Sequence, residues 1–121
     1  MSECIFCKIV RKEIPSEFVG ESSAWVAFKD IKPSAPVHVL VVPRIHIESI
    51  ANLEPNHDGI VAELIFAAKN IAGKLGLKGY KLVFNVGAEG GQIIPHLHLH
   101  LLGGWSRQQD IDAMPHPGLD K

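Results

Sequence analysis

The stretch His96-Leu97-His98-Leu99-His100-Leu101-Leu102 constrains this chain more than any other. Successive side chains of an extended strand point to opposite faces, so three imidazoles share one face while Leu97, Leu99 and Leu101 share the other. The leucine face calls for a core. Histidine is an indifferent strand former, and three on one face forfeit apolar contacts there unless something wet and chemical occupies that side. A solvated outer strand is the plainer explanation, but a strict triplet seldom arises that way.

The remaining segments supply what such a strand would pack against. Residues 5–12 read as a short helix stopped by Ile14-Pro15-Ser16, because the residue before proline is pushed out of helical dihedrals. Residues 24–28 and 37–42 are rich in β-branched and aromatic residues and are bounded by Pro33, Pro36 and Pro43, which predicts two strands. Between residues 56 and 75, Ile60, Val61, Leu64, Ile65, Ala68, Ile71, Ala72 and Leu75 recur at three- and four-residue steps, the mark of one long helix with Gly76 as its stop. Residues 80–85 and 96–102 give two more strands, separated by a flexible segment at residues 87–92. Short connections and a single long helix favour an α+β domain, a mostly antiparallel sheet with its helices on one face.

Length and charge exclude several functions. With 121 residues and no linker, repeat or low-complexity tract, the chain reads as one domain that buries roughly two thirds of its unfolded surface. Twelve Lys and Arg against thirteen Asp and Glu leave a formal charge of −1, which argues against dedicated DNA, RNA or membrane-surface binding. No signal peptide is visible, and no apolar run approaches the ~20 residues of a membrane helix. Two cysteines three positions apart suit metal or redox chemistry better than a structural bridge. A cytoplasmic location is expected.

Two chemistries fit the histidine face. Two of the imidazoles could ligate one metal, although all three are too spread out for bonds of ~2.0–2.1 Å to a single ion. Alternatively, a central neutral imidazole attacks phosphorus, with its second ring nitrogen donating to a carbonyl that fixes the tautomer. Gly87, Gly90 and Gly91 just upstream offer approachable backbone N–H groups for phosphoryl oxygens, although a plain hairpin connection would look the same.

The residues Gly91-Gln92-Ile93-Ile94-Pro95-His96-Leu97-His98-Leu99-His100-Leu101-Leu102-Gly103-Gly104 resemble the signature of the histidine-triad (HIT) superfamily. Upstream, Ile5-Phe6-Cys7-Lys8-Ile9, Glu13-Ile14-Pro15, Ala27-Phe28-Lys29-Asp30-Ile31 and Pro36-Val37-His38-Val39-Leu40-Val41-Val42-Pro43 are similar to its nucleotide-binding branch. The likeness spans residues 4–104, with 105–121 as a tail. It implies a five-stranded, mostly antiparallel HIT-like sheet with one long and one short helix. It also implies a purine nucleoside phosphoramidase that releases AMP or GMP through a nucleotidyl-histidine intermediate, with no cofactor needed for catalysis. A dinucleoside polyphosphate hydrolase and a nucleotide-binding regulatory module are the alternatives.

By position, the resemblance makes His98 the nucleophile, His100 the contact to phosphate and leaving group, and His38 a further site histidine. Asp30 would hold the ribose hydroxyls, a role a carboxylate fits because it accepts two donors at once; unaided, it reads as a turn residue ahead of Pro33. Phe6, Ile9, Phe28, Ile31 and Leu40 would form a purine slot, although each alone is ordinary core. Asn85, Gly91 and Gln92 match the phosphate side. Ile93 stands where many relatives carry a serine, and Met114-Pro115-His116-Pro117-Gly118 only loosely matches the tail of relatives. Zinc-bearing members imply Cys4, Cys7, His46 and His96 as ligands of a structural ion, which gives His96 a place in both the triad and the metal set; reduced thiols are the alternative. The resemblance further implies a homodimer, built on the long helix and a neighbouring strand.

Overall fold

A computed structural model describes residues 4–106 and 110–111. The elements run α1 (Ile5–Val10), β1 (Phe18–Glu21), β2 (Trp25–Lys29), β3 (Val37–Pro43), α2 (Asp58–Lys74), β4 (Tyr80–Val83) and β5 (Leu99–Gly103), with single 3-10 turns at Ile50–Asn52, Pro55–His57 and Ala88–Gly90. The five strands form one antiparallel sheet in the order β1-β2-β3-β5-β4. The expected α+β architecture with one long and one short helix is present.

Three details differ from the sequence pattern, each for a local reason. Hydrophobic alternation marks four strands, whereas β1 makes a fifth. It is four residues long, carries Gly20 and shifts register between Phe18 and Gly20, so no period-two pattern survives. The helices lie on opposite faces rather than on one. Strand alternation sends Ala27, Val39, Val41, Leu99 and Leu101 toward Leu64, Ala68 and Ile71 of α2, while Val26, Phe28, Leu40 and Val42 face Phe6 and Ile9 of α1. With both faces covered, β3 is buried along nearly its whole length.

Third, β5 begins at Leu99, so only His100 of the triplet lies in the paired strand. The register that pairs Val41 with Leu99 would bring Leu97 opposite Pro43, which has no N–H to extend the ladder. The N–H of Leu97 donates instead to the Ile47 carbonyl. Facing is nonetheless preserved: Leu97, Leu99 and Leu101 all enter the core on the α2 side.

The long helix ends as expected, with Gly76 at φ +73° just past the Leu75 cap. Its inner face is Leu64, Ala67, Ala68, Ile71 and Ala72, while Ile65 and Leu75 turn out to be exposed, together with Phe66. No helix among the described residues is long and apolar enough to cross a membrane. The expected tail motif at residues 114–118 lies outside the described residues.

Candidate active site

On the α1 side of the sheet a cleft of about 480 Å³ opens between α1, the β2–β3 connection and the segment leading into β5. Sheet register explains its composition. Phe28 pairs with Leu40 and Leu40 with His100, so the three form one row across β2, β3 and β5, and His38 lies two residues along β3 on the same face. Phe6 and Ile9 of α1 complete an apolar floor with Phe28 and Leu40, all four buried. Ile31 stands at the rim, 89% exposed. Asp30, His38, Asn85, His98 and His100 line it with polar side chains, as do Ser16, Lys29, Lys32 and Ser34, and the Gly91 backbone lies beside them. A larger concavity of about 870 Å³ beside β4 has no histidine, cysteine or carboxylate among the described residues of its lining.

Hydrogen bonds assign the ring protons. The His98 Nδ1–H donates to the His96 carbonyl at 2.7 Å, which leaves Nε2 with its lone pair. The Phe6 ring meets the His98 ring edge-on at 5.1 Å between centroids, so α1 holds the imidazole in place as well as flooring the cleft. A second chain of bonds orders the other two rings. The Ser34 backbone N–H donates to His38 Nδ1 at 3.0 Å, so the His38 proton sits on Nε2 and donates to His100 Nδ1 at 2.9 Å. His100 must then carry its own proton on Nε2. The pair of imidazoles therefore differs in kind: His98 is a base, His100 a donor.

Burial sets the charge state. Desolvation lowers the pKa of His98 against the opposing pull of its carbonyl partner and of Asp30. Desolvation, reinforced by repulsion from His98 and His38, brings His100 down to about 4. Desolvation likewise lowers His38, with Asp30 opposing it. All three are neutral near pH 7 and titrate as a coupled set.

Asp30 makes the turn contact read for it and also lines the cleft. Its Oδ1 accepts from the Lys32 N–H at 2.8 Å, a turn contact, while Oδ2 lies 3.6 Å from His38 Nε2. Asp30, His38 and His100 also bring their donor atoms within 4.8 Å of one another. A metal on His38 Nε2 is opposed by Ser34, because an imidazole accepting at Nδ1 has no neutral form with a second lone pair.

The 87–92 segment is built by its own side chains. Asn85 Nδ2 donates to the Gly90 carbonyl at 2.9 Å, and Gly91 takes φ +88° with Asn85 packed where a side chain would begin. Gln92 is outside the cleft lining. Its Oε1 accepts from the Gly87 N–H and its Nε2 donates to the carbonyls of Glu48 and Ile94, so it fastens the loop.

His96 also lies away from the cleft, fully buried behind α1. Its Nε2–H donates to the Pro43 carbonyl at 3.0 Å, which leaves Nδ1 unprotonated and 3.4 Å from Cys4 Sγ and 3.6 Å from Cys7 Sγ. His46 Nδ1 is 3.3 Å from Cys7 Sγ. A tetrahedral ion with Zn–S of ~2.3 Å and Zn–N of ~2.0–2.1 Å has N···S edges of about 3.5 Å. The four donors, all within 4.8 Å of one another, fit zinc in both number and chemistry.

Sequence reasoning overlooked the Ser34 N–H that sets the tautomer chain, and the lining residues Ile5, Ile14 and Ile94. The Pro33-Ser34-Ala35-Pro36 turn, four residues before His38, was the available signal for Ser34.

A family model described as scavenger mRNA decapping enzyme C-term binding matches residues 3–111. The purine nucleoside phosphoramidase of Escherichia coli (strain K12) is 41% identical over 104 residues, 84% of this chain and 87% of that protein. A HIT family hydrolase from Legionella pneumophila Philadelphia 1 superposes with a TM-score of 0.84 at 44% identity, covering 86% of this chain and 95% of the other. A histidine triad protein from Clostridium difficile gives 0.85 at 37% identity, covering 96% and 98%.

Proposed function

The chain belongs to the histidine-triad family of hydrolases, and from that premise we propose that it is a purine nucleoside phosphoramidase releasing AMP or GMP from their amine-linked 5′-phosphoramidates. The observation that carries the reading is the His98 tautomer: Nδ1–H is committed to a carbonyl, and Nε2 is unprotonated in a cleft with an apolar floor.

In this reading the purine rests on Phe6, Ile9, Phe28 and Leu40 under Ile31, and the ribose hydroxyls donate to Asp30. His98 Nε2 attacks phosphorus as the P–N bond breaks, forming a nucleotidyl-histidine and discarding the amine. The departing nitrogen needs a proton, because a neutral amine leaves far better than an amide anion. The His100 Nε2–H is the donor the tautomer chain supports for that end of the substrate, a solvent proton replacing it on the His38–His100 pair so that both rings stay neutral, with Asn85 and the Gly91 backbone flanking the phosphoryl oxygens. Water then displaces His98 to give the nucleoside monophosphate. Steady-state assays with adenosine and guanosine 5′-phosphoramidate should show release of AMP and GMP. Dinucleoside polyphosphates turned over in preference to both would contradict the assignment.

Protonation gives a separate check. Because burial lowers the pKa of the His98 nucleophile from its ordinary 6.5, kcat/KM is expected to hold its value as pH falls to 6.5 and to decline only below it. A half-maximal point at or above 6.5 would contradict the geometry. The lowered pKa of His100 acts on stability. The unfolded imidazole binds a proton from about pH 6.5 downward while the folded one does not until about 4, so this contribution is complete above 6.5 and lost as pH falls between the two.

The proposal includes a structural zinc on Cys4, Cys7, His46 and His96. Bound there, it would supply only a cross-link, tying the start of α1 to the segment that leads into β5; no step of the reaction passes through it. A cytoplasmic location accords with two cysteines in thiol form. The proposal also includes a homodimer. Phe66, 62% exposed on α2, and the edge strand β4 with Tyr80 and Leu82, unpaired on its outer side among the described residues, are apolar surface that a second copy would cover. Sedimentation equilibrium should give a dimer that Phe66→Glu weakens at least about 10-fold, the cost of a desolvated charge. A parent that is monomeric at tens of micromolar overturns this part.

A further inference from the structure

The sheet ladder stops just short of His98. β5 pairs with β3 only from Leu99, opposite Val41, so the peptide groups that lead into it need other partners. The peptide joining His96 to Leu97 matters most, because its carbonyl accepts the His98 Nδ1–H at 2.7 Å. Its other end is also held, since the Leu97 N–H donates to the Ile47 carbonyl at 2.6 Å. A planar peptide pinned at its N–H cannot swing its carbonyl away.

The frame around that peptide closes on one side chain. Gln92 Nε2 donates to the carbonyl of Glu48, next in sequence to Ile47, at 2.7 Å, and to the Ile94 carbonyl at 2.9 Å. The Ile94 carbonyl also accepts the His96 N–H at 2.8 Å, across Pro95, whose ring fixes its own φ. Gln92 therefore grips both approaches to the 96–97 peptide, through Glu48 on the Ile47 side and through Ile94 on the His96 side. Its Oε1 is taken by the Gly87 N–H at 2.9 Å, so both N–H groups and the oxygen of the amide are committed to backbone.

We infer that Gln92 is a positioning residue for His98: it fixes the carbonyl that keeps the His98 proton on Nδ1 and so leaves Nε2 with its lone pair. This deepens the reading above, from which it takes His98 as the nucleophile. Without the tie, the 92–97 segment relaxes and the His96 carbonyl moves. The ring then carries its proton on Nε2 part of the time, and in that form it cannot attack phosphorus.

Two substitutions separate the bonds. Gln92→Met keeps the length of the side chain and removes all three, whereas Gln92→Glu keeps an acceptor for Gly87 and loses both donations. Each should lower kcat for adenosine 5′-phosphoramidate by about 10- to 100-fold while KM and the Kd of AMP stay within about 3-fold, because Gln92 is outside the lining of the cleft. The NMR signals of the ring nitrogens give a readout that a simple loss of stability does not move. Those of His98, identified by their absence from His98→Ala, should report a proton on Nδ1 in the parent and a mixture of tautomers in both variants. A kcat within about 3-fold of the parent in either variant, or a His98 proton that stays wholly on Nδ1 in both, overturns the inference. So does an affinity for AMP that falls in step with kcat. A parent that turns over no phosphoramidate overturns the reading above instead, and the tautomer comparison still decides the role of Gln92.

Discussion

Replacing His98 with alanine should abolish phosphoramidate turnover, lowering kcat/KM by on the order of 10⁴- to 10⁶-fold, the range found when a covalent nucleophile is removed. The size of the effect follows from geometry. His98 alone among the three cleft histidines has its Nδ1 proton committed to its own backbone, so no other ring offers an unprotonated Nε2 there. Affinity for AMP should change much less, because the floor of Phe6, Ile9, Phe28 and Leu40 remains. A thermal melt guards against a trivial cause, since the substitution also removes the ring on which Phe6 packs. Turnover within about 100-fold of the parent would mean that another group attacks phosphorus.

The second large effect concerns the metal. Protein prepared without added metal should carry about one zinc per chain, and Cys4→Ser or a strong chelator should remove it with a fall in Tm on the order of 10 °C. Less than about half an equivalent in the parent counts against a tightly held ion. The shift is large because Cys4 both caps α1, accepting from the Cys7 N–H, and belongs to the four-donor cluster. The core formed around α2 does not depend on that cluster, so the chain should remain folded at room temperature. Loss of kcat should stay within about 10-fold, since the ion would touch His96 and not His98.

Much of this site is legible in sequence because strand chemistry is local. The alternation of His and Leu in residues 96–102 places imidazoles and core leucines on opposite sides even where the ladder is broken, because extended backbone keeps a two-residue repeat without a pairing partner. The row of Phe28, Leu40 and His100 depends on register, which no single segment encodes. The opposite placement of α1 and α2 is likewise a property of the assembled sheet: β3 reads as continuously apolar because both its faces are covered. β1 is hidden by its bulge. Gln92 shows the limit of carrying a role over by position, since its amide is spent on Gly87, Glu48 and Ile94, contacts that lie up to 44 residues away. The Ser34 N–H, a backbone group, leaves no mark in side-chain patterns at all.

The proposed reaction depends on one bond, from His98 Nε2 to the phosphorus of the nucleotide. Mixing the protein with adenosine 5′-phosphoramidate, quenching in milliseconds to seconds at alkaline pH where phosphorus–imidazole bonds survive, and mapping peptides by mass spectrometry tests it directly. The account predicts an adenylyl adduct on His98 that forms and decays within the turnover time and is missing from His98→Ala. An adduct on any other residue, or rapid turnover of the parent with no adduct at any quench time, would contradict it.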